Sequence, residues 1–209
     1  MSFSNHLRKL AQPVWDAQLT HPFVVALGKG TLAERKFRYY ILQDARFLAD
    51  LARVFAAGSL RAPDSESALR FAKLAEETIT VERSLHENYG KRWKLSPHDM
   101  LNEPMAPTNS AYTRHMLAVA QGGTATEIAV VALPCAWIYC VVGKHFLKNG
   151  PPPAKHPYRD WLMLYASPEF EAVQEWMRAR VDTWARTAGH EEKKRMEQAF
   201  LISSKYEWM

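Results

Sequence analysis

The chain has 209 residues, 47% of them hydrophobic, with seven tryptophans and two cysteines, enough apolar side chain for one ordinary domain spanning residues 1–209. Two cysteines are too few for a disulfide framework. No window is expected to reach the length of a membrane span, and Met1-Ser2-Phe3-Ser4-Asn5-His6 lacks a signal-peptide layout, so a soluble, cytoplasmic protein with no membrane partner is expected. The net charge of +5 is spread along the chain without a nucleic-acid motif, which argues against direct nucleic-acid binding.

Apolar residues recur at helical spacing throughout, and no period-two strand is found. Leu7, Leu10, Val14 and Trp15 form a first stripe, kinked or broken at Pro13. Thr31-Leu32-Ala33-Glu34 has a capping-box pattern and is expected to open a long helix carrying Phe37, Tyr40, Ile41, Phe47, Leu48, Leu51 and Phe55, ending near Gly58. Asp64-Ser65 starts a third helix that runs to Tyr89-Gly90. A proline-containing loop covers 92–108, and a fourth helix carries Tyr112, Met116 and Val119 as far as Gly122-Gly123. Thr124-Ala125-Thr126-Glu127 is a second capping box. The helix it opens holds Cys135 and ends at Asn149-Gly150, before Pro151-Pro152-Pro153. A short helix covers 158–165. Ser167-Pro168-Glu169 caps the next with proline at the first helical position, and the last helix runs from Glu191-Glu192 to Met209. The expected fold class is all-α, a helical bundle with its chemistry in the interior.

Cys135 follows Pro134 inside an apolar helix. An interior proline costs about 3 kcal/mol and leaves the Val130 carbonyl without its helical donor. Tyr139, one turn on, shares the face of Cys135. The thiol is either a small buried hydrophobe or a nucleophile beside an aromatic wall. Asp44 borders the apolar stripe of the second helix, three and four residues before Phe47 and Leu48. There a carboxylate is either solvated beside Arg46 or an acceptor at the core edge. Glu207, read alone, is a solvated residue near a chain end. Tyr112 and Tyr165 each stand near a helix end, where a pocket wall could form. Glu82 and His86, four apart, have the spacing of half a carboxylate-bridged metal site. No second Glu-x-x-His pair accompanies them, so a satisfied polar pair is the plainer reading.

Taken in order, Tyr40-Ile41-Leu42-Gln43-Asp44-Ala45-Arg46-Phe47-Leu48, Ala111-Tyr112-Thr113 and Leu133-Pro134-Cys135-Ala136-Trp137-Ile138-Tyr139 resemble the thiaminase II (TenA) family. Tyr158-Arg159-Asp160-Trp161, Tyr165-Ala166-Ser167-Pro168-Glu169-Phe170 and Ser203-Ser204-Lys205-Tyr206-Glu207 extend the resemblance over essentially the whole chain. The resemblance implies a heme-oxygenase-like all-α fold, a nucleophilic cysteine at Cys135 (the cysteine branch of the family) and a catalytic glutamate at Glu207. It also implies a pyrimidine-binding aspartate at Asp44 and pocket groups at Phe47, Tyr112, Tyr139 and Tyr165. The implied activity is hydrolysis of 5-methylene-substituted 4-amino-2-methylpyrimidines, aminomethylpyrimidine or thiamine, to hydroxymethylpyrimidine in thiamine salvage. No cofactor and no metal are implied, and the expected assembly is a homotetramer. Two departures stand out. Position 47 is Phe where many relatives carry Tyr, and family chains commonly continue past the glutamate whereas this sequence stops at Met209, which is expected to loosen the helix presenting Glu207. A di-iron oxidase on the same fold, which needs a full ligand set, and a pyrimidine-binding regulatory protein without catalysis are the alternatives.

Overall fold

The structure is a computed structural model that describes the backbone of all 209 residues and the side chains of all but 81–87, 97 and 101. Among the described residues there are eleven α-helices and no strand. In chain order they are α1 (Phe3–Leu10), α2 (Gln12–Thr20), α3 (Pro22–Gly28), α4 (Glu34–Arg61), α5 (Ser65–Trp93) and α6 (Pro97–Asn102). There follow α7 (Pro107–Gly122), α8 (Ala125–Leu147), α9 (Arg159–Tyr165), α10 (Pro168–Trp184) and α11 (His190–Trp208). The chain divides into two compact units, residues 1–32 with 129–209, and residues 33–128, so the division falls within α8.

In the first unit, Pro13 stands in the first turn of α2 and separates it from α1, as its missing N–H allows. Helix α1 is tied to α10 by Ser4, whose backbone N–H and hydroxyl donate to the two carboxylate oxygens of Asp182 at 2.6 and 3.0 Å. His6 Nε2 lies 2.8 Å from Glu197 of α11. The core is aromatic: Trp15 meets Trp137 edge-on at 5.1 Å and stacks on Phe200 at 6.0 Å. The Arg178 guanidinium sits 4.1 Å over the Trp137 ring, an arrangement that lets a cation lie against an apolar core.

Helix α3 has no counterpart among the elements expected from the sequence, and its exit corrects the first capping box. Gly30, at φ +71°, takes the left-handed conformation that ends a helix. Its N–H donates to the Leu27 carbonyl at 3.0 Å, and the Thr31 N–H reaches back to Ala26 at 2.9 Å, the two bonds of a Schellman ending. Thr31 is thus spent on closing α3. The N-cap of α4 is Ala33, which makes no side-chain cap bond.

The second unit is organised on α4, which packs along α5 and also meets α6 and α7. Helix α4 runs past Gly58 to Arg61, correcting the expected stop. A Cβ at Gly58 would lie 2.7 Å from the Phe71 ring, so the glycine serves close helix packing rather than termination. Asp64 caps α5 by accepting the Ser67 N–H at 2.7 Å. Helix α5 continues to Trp93, where Lys94 takes the left-handed conformation at φ 57°. The expected 92–108 loop contains α6, opened by a capping box of Ser96 and Asp99. Arg61 donates to the carbonyls of Gln121 and Gly123, fixing the exit of α7 against α4.

Helix α8 corrects the expectation about membrane-length segments. Its 23 residues are long and apolar enough by length and composition to cross a bilayer, but 83% of its most apolar stretch is buried inside the protein, as in a core helix.

Candidate active site

The predicted box at Thr124 does form. The Thr124 N–H donates to Glu127 Oε2 at 2.7 Å, and the Glu127 N–H to Thr124 Oγ1 at 3.2 Å, so two orphan donors are satisfied where α8 begins. From Ala125 to Cys140 every residue of α8 is buried except Cys135 and Tyr139. Helical spacing puts these two on one face, so the partly accessible strip of this buried stretch consists of a thiol and a phenol one turn apart. Cys140, by contrast, is 2% exposed. Burial pushes its thiol pKa above the ordinary value, against the opposing pull of Lys144 and with a further push from Glu171 and Glu175. The two cysteines are therefore chemically different, and Cys135 is the one that reagents can reach.

An aromatic wall stands beside Tyr139. Its ring centroid lies 4.7 Å from that of Tyr165 and 5.7 Å from that of Trp161. Trp161 and Tyr165 are 4.6 Å apart, and Phe170 meets Tyr165 edge-on at 4.8 Å. Helix α9 can approach α8 this closely because position 143 is glycine. A Cβ there would sit 2.7 Å from the Ala166 nitrogen and the Tyr165 carbonyl carbon. Ser167 accepts the Phe170 N–H at 3.1 Å and sets the α9–α10 corner that holds Phe170.

Glu207 lies half-buried in the last turn of α11. Two fully buried hydroxyls anchor that helix: Ser204 accepts from Trp15 Nε1 at 3.0 Å, and Ser203 donates to the Val131 carbonyl of α8 at 2.8 Å. Each catalytic candidate is one helical turn from this second bond, Glu207 from Ser203 and Cys135 from Val131.

In the second unit, Asp44 and Phe47 are buried and three residues apart on one face of α4. The Phe47 ring lies 5.1 Å from that of Tyr112, a buried residue of α7. The neighbouring Gln43 explains how α7 is registered. Its side chain donates to the Pro104 carbonyl at 2.9 Å and accepts the Ala106 N–H at 2.7 Å, and its own carbonyl accepts from Asn109 at 2.7 Å. Gln43 is thus a staple between α4 and the start of α7.

Within the first unit, Tyr139 and Tyr165 come into ring contact, and Cys135 and Glu207 flank one inter-helix hydrogen bond. Within the second, Phe47 and Tyr112 come into ring contact, and Asp44 lies one turn before Phe47 on α4. Sequence reasoning passes over Gly143, Trp161 and Ser203. Trp161 and Ser203 stand inside the motif stretches, but only packing shows what they touch. Among the described residues no three of His, Cys, Asp and Glu gather as a metal site. Glu82 and His86 lie outside the described side chains.

The TENA/THI-4/PQQC family model matches residues 8–209. An aminopyrimidine aminohydrolase of Halalkalibacterium halodurans is 39% identical over 208 residues, 99% of this chain and 92% of the relative. A TenA homologue protein from P. horikoshii OT3 has a TM-score of 0.88 at 31% identity, covering 100% of this chain and 95% of the other. A domain with a heme oxygenase-like fold from Shewanella denitrificans has a TM-score of 0.75 at 12% identity, covering 100% and 89%, a likeness of fold alone. The architecture is accordingly the expected all-α, heme-oxygenase-like one, and with nearly every residue inside the family match, the chain belongs to the TENA/THI-4/PQQC family.

Proposed function

We propose that this chain is an aminopyrimidine aminohydrolase, releasing hydroxymethylpyrimidine from 4-amino-2-methylpyrimidines that carry an amine or a thiazolium on the C5 methylene. The observation that carries the reading is the accessible strip of α8: Cys135 and Tyr139, partly exposed on a helix otherwise buried from Ala125 to Cys140. It is supported by 39% identity to an enzyme of that name along nearly the full length of both chains.

Direct displacement at the methylene is slow because the aromatic ring must donate electrons while keeping its aromaticity. In the proposed route the Cys135 thiolate bonds to C6, and Glu207 gives its proton to N1, which takes up the electron pair of the C6–N1 π bond. The 4-amino lone pair then pushes through C4 and C5, expels the leaving group with its bonding pair (ammonia from the protonated aminomethyl group, or the neutral thiazole from thiamine), and leaves an exocyclic methylene on C5. Water adds to that methylene, gives up one proton to solvent, and returns the pair to the ring. Glu207 takes back the N1 proton as the C6–S bond breaks, and aromaticity is restored. Asp44 accepts from the 4-amino group, and Phe47, Tyr112, Tyr139 and Tyr165 hold the flat ring, which is a positioning effect. No step in this route calls for a metal or cofactor.

The rest of the reading is that the 209 residues act as one domain, in the cytoplasm, assembled as a homotetramer, with neither nucleic acid nor membrane as partner. The test is incubation with aminomethylpyrimidine and, separately, with thiamine, following hydroxymethylpyrimidine by mass spectrometry. Product formed by the wild type and absent with Cys135→Ser is the expected result; turnover retained by Cys135→Ser overturns the covalent step.

A further inference from the structure

Pro134 in the interior of α8 removes the helical donor of the Val130 carbonyl. The structure puts an outside donor on the neighbouring one: Ser203 Oγ, at 2.8 Å from the Val131 oxygen. Helical register assigns that same oxygen to the backbone N–H of Cys135, four residues on. The Ser203 hydroxyl and the Cys135 amide are thus directed at one carbonyl, in the turn where the helix has lost a bond to proline. Both partners are 0% exposed, so solvent does not compete for this bond. On α11, the residue one turn beyond Ser203 on the same face is Glu207. Trp15 Nε1 fixes the same turn of α11 through Ser204, at 3.0 Å.

We propose that Ser203 is a positioning residue for the reaction. Its bond to Val131 sets the register between α8 and α11, and so the placement of the Cys135 thiol relative to the Glu207 carboxyl. This rests on the roles given to Cys135 and Glu207 above. A slip of α11 along α8 changes which ring atoms the thiol and the acid can meet together, while none of the residues assigned to ring binding is on α11. Loss of the hydroxyl should therefore appear in kcat and not in KM.

The test is a cycle of Ser203→Ala, Glu207→Gln and the double variant, with kcat and KM for aminomethylpyrimidine and a thermal melt for each. Ser203→Ala is expected to lower kcat by about ten-fold or more with KM within roughly two-fold, and to cost less than about two-fold once Glu207 is already Gln. A merely structural serine predicts the same fold-loss in both backgrounds, and that result overturns the proposal, as does an unchanged kcat in folded Ser203→Ala. If the alanine variant fails to fold, Ser203→Cys, of similar volume and a weaker donor, runs the same cycle, and the same two results support or overturn the role. Failure of the underlying reading is separately visible, because Cys135→Ser would then retain turnover whatever Ser203 does.

Discussion

At the scale of single residues, the two thiols separate most sharply. Cys135 is on the accessible strip of α8, while Cys140 is buried with its pKa pushed up, which lowers its thiolate fraction at any pH below that pKa. Thiol counting with iodoacetamide at pH 8 is therefore expected to label one cysteine per native chain and two after unfolding, with Cys135→Ser removing the native signal. Equal native labelling of both cysteines would contradict the burial argument. Asp44 belongs to the same scale. It is 9% exposed and one turn before Phe47, whose ring meets Tyr112. As an acceptor for an amino group it should lose affinity when made Asn, since the amide presents a donor where the ligand also donates. A rise in KM of about ten-fold or more, with a smaller change in kcat, is the expected steady-state result.

At the scale of elements, sequence pattern and structure part company where packing overrides a local signal. The Thr124 and Thr31 boxes look alike in the sequence, yet only the first forms, because Gly30 in the left-handed conformation commits Thr31 to the end of α3. Thr124→Ala is accordingly expected to destabilise the protein by about 1 kcal/mol in chemical denaturation. Thr31→Ala should cost much less, since its hydroxyl reaches only the Ala26 carbonyl, at 3.4 Å and exposed to solvent. Periodicity locates the long helices, and the ordered motifs locate Cys135, Asp44 and Glu207. What they cannot supply is which residues let helices approach. Gly58 reads as a stop and is a contact with Phe71, and Gly143 carries no local signal at all. At Gly143 the obstacle to a Cβ is the backbone of Tyr165 and Ala166, which cannot rotate aside as a side chain can. Gly143→Ala should push α9 away from α8 and Tyr165 away from Tyr139, with an expected loss of about ten-fold or more in kcat/KM and a lower melting temperature.

At the scale of the whole molecule, the proposed reaction is read most directly through stability. A ligand that binds only the folded chain stabilises it by RT ln(1 + [L]/Kd), about 2.7 kcal/mol at a hundred-fold excess over Kd. For a chain of this length each kcal/mol moves the melting temperature by roughly 2–4 °C. Hydroxymethylpyrimidine at such an excess is thus expected to raise the melting temperature by about 5–10 °C. The variants divide by role in the same assay. Cys135→Ser should keep the full shift, because in the proposed route the thiol enters only when a bond forms to C6, and Asp44→Asn should lose most of it, because in that route the carboxylate holds the bound ring. The assembly state must be held fixed in this comparison, since association also stabilises by mass action. Large apolar residues stand exposed on both long helices of the second unit, Tyr39 and Leu60 on α4, Leu69 and Ile79 on α5. Sedimentation is expected to give four times the 23.9 kDa chain mass for the wild type and for both site variants alike. A ligand shift retained by Asp44→Asn at equal assembly state would remove that residue from the ring-binding role and leave the cysteine chemistry to be judged separately.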